Sequence, residues 1–201
     1  MTEALRMTEA VDEFVFARRG ELLAVPAVVL AVFGKPSAFS IAAGLPFAFA
    51  GEALRAWAVG YSGVTTRGDT VTAPALVTAG PYAYVRNPLY IGNFITAFGF
   101  AIAFTGRNSA VARTALVAGA LGTMFGVYSI VVPHEERYLR DTFGAAFDEY
   151  VAAVPRILPR TAPAGDGSGT YDPSVIGAAE SRTFITFGAM LAALAVKAIK
   201  K

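Results

Sequence analysis

Long apolar runs separated by short polar punctuation organise this chain. Between Gly20 and Thr66 the only charged residues are Glu21, Lys35, Glu52 and Arg55; between Asn87 and Val132 they are Arg107 and Arg113. Charge-poor stretches of roughly 18–25 residues read as membrane-spanning helices. Residues 1–20 are polar, end in Arg18-Arg19-Gly20 and read as a short surface helix. Residues 21–34 are apolar but short for a full crossing, so they need flanking residues to span, with a kink expected at Pro26. Gly34-Lys35-Pro36-Ser37 is a turn signal. Residues 38–60 form a second span, 61–87 a polar loop, 88–105 a third span, 105–109 a tight connection and 110–132 a fourth span.

At Pro133-His134-Glu135-Glu136 the chain turns charged. Tyr138, Leu139, Phe143, Phe147, Tyr150 and Val151 then recur at the spacing of an amphipathic helix, broken near Gly144 and lying at the interface. Residues 155–174 are rich in Pro, Gly and Ser, and 183–199 make a fifth apolar helix. The expected division is a surface segment at 1–20, a core at 21–160, a linker at 161–182 and a C-terminal hydrophobic helix at 183–201. No stretch alternates with strand periodicity. The expected fold is therefore all-α: an integral membrane bundle of about five transmembrane helices, with a C-terminal amphipathic segment covering a site on the cytoplasmic face.

Composition agrees. The chain is 55% hydrophobic and 16% charged, whereas soluble domains carry about a quarter charged residues. The absence of cysteine removes disulfides, thiolate metal sites and a cysteine nucleophile. His134 is the single histidine and makes no metal cluster by itself, and a net charge of +2 gives no case for nucleic acid. Glu3, Glu9, Asp12 and Glu13 precede the first apolar run, the reverse of a cleaved signal peptide. Arg67, Arg86, Arg137, Arg140, Arg156 and Arg160 lie in the segments after spans two and four, against Lys35, Arg107 and Arg113 in the opposite connections. The positive-inside rule puts the first set in the cytoplasm. The terminal lysines of "KAIKK" oppose this if the last helix crosses fully.

Three polar groups converge on that face. Glu52 and Arg55 lie three apart on one side of a helix end, Arg86-Asn87-Pro88-Leu89-Tyr90 opens the third span, and Glu135-Glu136 follows the fourth. Ionisable groups at membrane depth are costly and mark functional sites; headgroup contact by the arginines, and helix-start stabilisation by the acids, are the structural alternatives. Pro88 biases Asn87 away from helical geometry, which places Asn87 at a helix start whose N–H groups can bind a carboxylate. Tyr82, Tyr84 and Tyr90 offer flat faces for an adenine or a cation. Glu135 and Glu136 can accept hydrogen bonds from ribose hydroxyls or an ammonium. A zwitterionic, adenine-bearing, positively charged cofactor suits this set, and S-adenosylmethionine fits that description.

The stretches "LVTAGPYAYVRNPLYIGN" and "PHEERYLRDTFGAAFDEYVAAVPRILPR", with "LRAWAVGYSG" at 54–63, resemble the isoprenylcysteine carboxyl methyltransferase and phospholipid methyltransferase group of membrane enzymes over roughly residues 50–160. The resemblance implies a cofactor against Leu76, Val77, Tyr82, Asn87, Pro88, Leu89, Tyr90 and Glu135. Arg86, His134 and Glu136 are then the candidate catalytic side chains, and Glu52 and Arg55 the candidate substrate contacts. It further implies a lipophilic acceptor that enters sideways from the bilayer. Asn87 stands where that group usually has His, as the phospholipid branch tends to. "SIVVPHEE" lacks the arginine that the prenylcysteine branch is expected to place before the Glu pair, which predicts an acceptor other than a prenylated peptide carboxylate. A membrane NADPH-dependent reductase of the sterol-reductase type is the alternative. It would need cations for a 2′-phosphate, and the 61–87 loop offers only Arg67 and Arg86.

Overall fold

The structure, a computed structural model, describes residues 3–63, 72–164 and 167–199. Arg67 and the last two lysines, used above for orientation, lie outside the described residues. Every regular element among those described is helical.

Helix α1 runs unbroken over Glu3–Phe33, through Gly20 and Pro26. The expected boundary near Gly20 is absent because one interior glycine costs only about 1 kcal/mol and nothing there terminates the helix. Ser37 caps α2 (Ala38–Ser62) with a reciprocal Ser37–Ser40 capping box, which places the turn at 34–37 where the sequence predicts it. Helix α3 covers Pro88–Phe104 and α4 covers Ala110–Phe143. Helix α4 passes Pro133 without ending, so the charged 133–143 segment projects from the apolar part as its continuation. Gly144, at φ 54°, takes the left-handed conformation that a side chain would resist and separates α4 from α5 (Ala145–Ala153). A short turn, α6 (Ile176–Ala179), precedes α7 (Ser181–Ile199). Helices α4 and α7 are long and apolar enough to cross a membrane, and α3 is a shorter apolar helix.

Helices α2 and α3 are antiparallel and pack backbone to backbone through glycines seven apart on each. A Cβ at Gly44 would fall on the Gly99 carbonyl, one at Gly51 on the Gly92 carbonyl, and one at Gly99 on the Ala48 backbone. Small residues allow this approach where lipid leaves no hydrophobic drive between helices. Gly99→Ala is expected to destabilise the protein by about 1–3 kcal/mol, read as a lower melting midpoint in detergent; an unchanged midpoint would mean that the two helices do not touch there.

Leu30, Ala48, Phe100, Phe104, Ala120, Phe187 and Met190 form one core, drawn from five helices. A second joins Phe16 of α1 to Met124, Tyr128 and Val131 of α4. At one end of the bundle Phe147, Tyr150 and Val154 pack with Leu76 and Leu139, which folds α5 over the 72–90 loop. At the other end Asn108 Nδ2 donates to Phe33 O (3.1 Å) and Lys197 Nζ donates to Val32 O and Gly34 O (2.9 Å each). The C-terminus of α7 therefore lies at the Lys35 end, opposite the 72–90 loop.

Candidate active site

A cavity of about 950 Å³ opens beneath the α5 cover and runs down between α1, α3 and α7. Its upper part is polar and takes residues from α2, the 72–90 loop, and both ends of the α3–α4 pair. Its lower part is apolar, with Leu23, Ala27, Leu30, Phe100, Phe187 and Met190 on its wall.

The 72–90 loop is held from three sides. Gly80, at φ 59°, starts a tight helical turn over Gly80–Ala83. The chain that follows α5 closes on this turn through backbone bonds from Arg86 N to Pro155 O (2.9 Å), Arg160 N to Tyr84 O (3.0 Å) and Ala164 N to Ala83 O (2.9 Å). Tyr150 Oη donates to Tyr82 O (2.8 Å). Burial raises both the Tyr82 and the Tyr150 phenol, so each keeps its proton at working pH and neither serves as a base. The segment read as a linker also ties in: Ser168 O accepts from Thr78 N (2.8 Å) and Ala79 N (3.0 Å), and Asp172 N donates to Gly60 O (2.8 Å).

Arg86 and Glu136 meet here in a buried ion pair, Arg86 Nε to Glu136 Oε1 at 3.0 Å, and Arg156 grips the same carboxylate. Arg86 also donates to the carbonyls of Val151 (3.3 Å) and Val154. These bonds fasten α5 to the motif loop. Asn87 precedes α3 but does not cap it; its Nδ2 donates to Arg156 O (3.2 Å). The first turn of α3, at Pro88, Leu89 and Tyr90, lines the cavity with no side-chain cap on its N–H groups.

Tyr90 Oη donates to Glu135 at 2.6 Å, across 45 residues of sequence. The Tyr90 ring lies 4.5 Å from that of Tyr128, and Tyr128 Oη accepts from Asn93 Nδ2 at 2.6 Å. Asn93 Oδ1 accepts from Arg55 Nη1 at 2.7 Å. Arg55 then forks onto Glu180, with Nη2 to Oε1 at 2.8 Å and Nε to Oε2 at 3.2 Å. Hydrogen bonds thus run from Tyr128 through Asn93 and Arg55 to Glu180, which stands fully buried behind the cavity wall, and the Tyr90–Tyr128 ring contact joins this run to Glu135. The acid that grips Arg55 is Glu180, which lies in the segment that the sequence reads as a linker.

Leu76, Val77, Tyr82, Arg86, Asn87, Pro88, Leu89, Tyr90, Glu135 and Glu136 all line this cavity, as do Glu52 and Arg55. His134 does not: its ring lies 5.3 Å from Phe16, in the α1–α4 seam. Asn93, Tyr128 and Glu180 were missed. Asn93 carries a signal, standing one helical turn after Tyr90 on the same face; Glu180 carries none. Among the described residues, no group of three or more His, Cys, Asp or Glu is placed to hold a metal ion.

A family model described as phospholipid methyltransferase matches residues 39–146. The cobalt-zinc-cadmium resistance protein CzcN of Cupriavidus metallidurans is 35% identical over 85 residues, 42% of this chain and 36% of that protein. Protein-S-isoprenylcysteine O-methyltransferase B of Arabidopsis thaliana is 32% identical over 84 residues, 42% of this chain and 39% of that protein. Protein-S-isoprenylcysteine O-methyltransferase of Schizosaccharomyces pombe is 36% identical over 84 residues, 42% of this chain and 33% of that protein. The matched stretch therefore spans between a third and two-fifths of these relatives. No solved structure matches.

Proposed function

Since the chain belongs to the phospholipid methyltransferase family, we propose that it is a membrane-embedded methyltransferase that uses S-adenosylmethionine and a lipophilic acceptor. The observation that carries this reading is the Tyr90–Glu135 hydrogen bond, which joins the Arg86–Tyr90 segment and the Glu pair on one cavity wall. A cavity of about 950 Å³ lies within the size range of cofactor sites. The donor set also fits: aromatic faces at Tyr82 and Tyr90, a carboxylate at Glu135, and uncapped N–H groups at the start of α3.

S-adenosylmethionine, when bound, supplies a methyl group already activated on a sulfonium. The protein's task is alignment and exclusion of water. Glu135 and Tyr90 bind the donor's polar groups; Leu76, Val77 and Tyr82 hold its flat part; the first turn of α3 receives a carboxylate. Arg86, Glu136 and Arg156 act indirectly, by keeping α5 closed over the cavity. His134 has no part in this scheme, because it faces Phe16. Helices α1–α4 and α7 lie in the bilayer, with the α5 cover at the cytoplasmic face of the cytoplasmic membrane, so that the site faces the cytoplasm. Neither the family nor the relatives above favour the nicotinamide-dependent reductase that the sequence left open.

The test offers purified protein methyl-labelled S-adenosylmethionine with a farnesylated cysteine analogue, phosphatidylethanolamine and a water-soluble thiol in parallel. Saturable labelling of a lipophilic acceptor, with none of the soluble thiol, is expected. Labelling of the soluble thiol alone would contradict the lipophilic acceptor.

A further inference from the structure

A guanidinium has hydrogen-bond donors and no acceptor. Arg55 therefore sets the direction of the bonds that follow it. Its Nη1 donates to Asn93 at 2.7 Å, so the receiving atom is the amide oxygen, and the amide nitrogen is turned toward Tyr128. Asn93 Nδ2 then donates to Tyr128 Oη at 2.6 Å. Glu180 holds the other side of the guanidinium at 2.8 Å, and a flipped amide would set nitrogen against Arg55. Tyr128 Oη is thus an acceptor in this network, and its own hydrogen is left to donate. Among the described residues none accepts it. The ring is enclosed by Phe16, Met124, Val127 and Val131 and by the rings of Tyr90 and Phe94, while Tyr90 gives its own hydrogen to Glu135. Tyr128 is 5% exposed and lines the cavity. A buried hydroxyl that gives no bond is costly, which leaves the cavity as the side from which its partner comes.

The level of this hydroxyl decides what meets it. Tyr128 stands seven residues, nearly two turns, before Glu135 on α4, about 10 Å further into the bundle at 1.5 Å per residue. Met124 and Ala120, one and two turns further still, line the apolar part of the cavity. A methyl donor at Glu135 and a chain in the apolar part put the acceptor's reacting head between them, beside Tyr128. We propose that the Tyr128 hydroxyl holds an oxygen of that head, as a donor whose polarity is set from Glu180 through Arg55 and Asn93. This rests on the cavity holding the methyl acceptor. An oxygen head has lone pairs to spare, so one can take the phenol's hydrogen while another attacks. A neutral amine has a single lone pair, which the attack uses, and an ammonium has none. Tyr128 is therefore a contact that selects an oxygen acceptor over an amine, and Asn93 and Arg55 are the residues that position it.

The experiment measures equilibrium binding of labelled methyl palmitate, octadecane and hexadecylamine to the full chain in non-ionic detergent. Each ligand is compared across variants, so that its partition into micelles cancels. Tyr128→Phe removes one oxygen and keeps the ring. It should weaken methyl palmitate by roughly three- to tenfold and leave octadecane unchanged. Asn93→Asp still accepts from Arg55 but now also accepts from Tyr128, which turns the hydroxyl round and offers its lone pairs to the cavity. It should weaken methyl palmitate as far as Tyr128→Phe does and tighten hexadecylamine about fivefold or more. Adding Tyr128→Phe to Asn93→Asp should erase that gain, because the amine meets the phenol and not the new carboxylate. Methyl palmitate unchanged in Tyr128→Phe, an equal loss for octadecane, or hexadecylamine no tighter in Asn93→Asp would overturn the proposal. An amine gain that survives in the double variant would overturn it too, as would a parallel loss of S-adenosylmethionine affinity in Tyr128→Phe, which would place the hydroxyl in the donor site. Should Asn93→Asp not fold, the Tyr128→Phe contrast between methyl palmitate and octadecane decides alone. These contrasts need no methyl donor. Failure of the wild type to bind S-adenosylmethionine would therefore strike the methyltransferase reading, and with it the hydroxyl's role in methyl transfer, even where the contrasts themselves held.

Discussion

Glu135→Ala is expected to weaken S-adenosylmethionine binding by about 1–3 kcal/mol at neutral pH, the scale for losing a charged hydrogen-bond partner. Every 1.4 kcal/mol is about tenfold in the dissociation constant, so the change is well within calorimetric reach. Two losses combine. The ligand loses an acceptor for its ribose or ammonium groups, and Tyr90 loses the carboxylate that its hydroxyl binds at 2.6 Å. Glu135→Gln separates them: it keeps an acceptor for Tyr90 and removes the charge, so it should fall between wild type and Ala. Unchanged affinity in a folded Glu135→Ala protein would remove Glu135 from the donor site.

Glu180→Ala is expected to be the most destabilising single change. Glu180 is fully buried and holds Arg55, which is itself 8% exposed. Taking away one partner leaves a guanidinium in a low-dielectric interior, a loss of about 3–5 kcal/mol and a fall in melting midpoint of roughly 10 °C for a chain of this size. Arg55→Leu/Glu180→Leu should recover part of it, because no uncompensated charge remains. The damage should also spread, since Arg55 orients Asn93 and through it Tyr128. A midpoint in Glu180→Ala within about 2 °C of wild type would mean that water reaches Arg55 and that the pair is not the anchor described.

What the sequence made legible has a local physical cause. Ser37 and Ser109 cap helices and Gly144 ends one, and each acts through its own backbone. Hence the starts of α2 and α4 and the break after Phe143 were readable, and Pro88 at the first position of α3 marked that start as well. The motif residues were readable because proline, tyrosine and acid side chains at membrane depth demand a reason. The unbroken α1 was not, since a polar-to-apolar change at Gly20 marks a change of surroundings and not of backbone. The continuation of α4 through Pro133 was hidden likewise, because proline removes one bond without forcing an end in a helix packed on its neighbours. Glu180 was hidden for a deeper reason: it pairs with a residue 125 positions away, and no periodicity in one sequence carries that contact. The segment around it looked like a linker by composition, yet Ser168 and Asp172 bind the loop and the end of α2 through backbone groups that composition does not report.

The most direct measurement is calorimetric titration of the purified full chain, in detergent or nanodiscs, with S-adenosylmethionine and, in a separate cell, with NADPH. The expected result is saturable binding of S-adenosylmethionine at one per chain, weakened in Glu135→Ala, with no comparable heat from NADPH. Saturable binding of NADPH with none of S-adenosylmethionine would contradict the methyl-donor site at Tyr90 and Glu135.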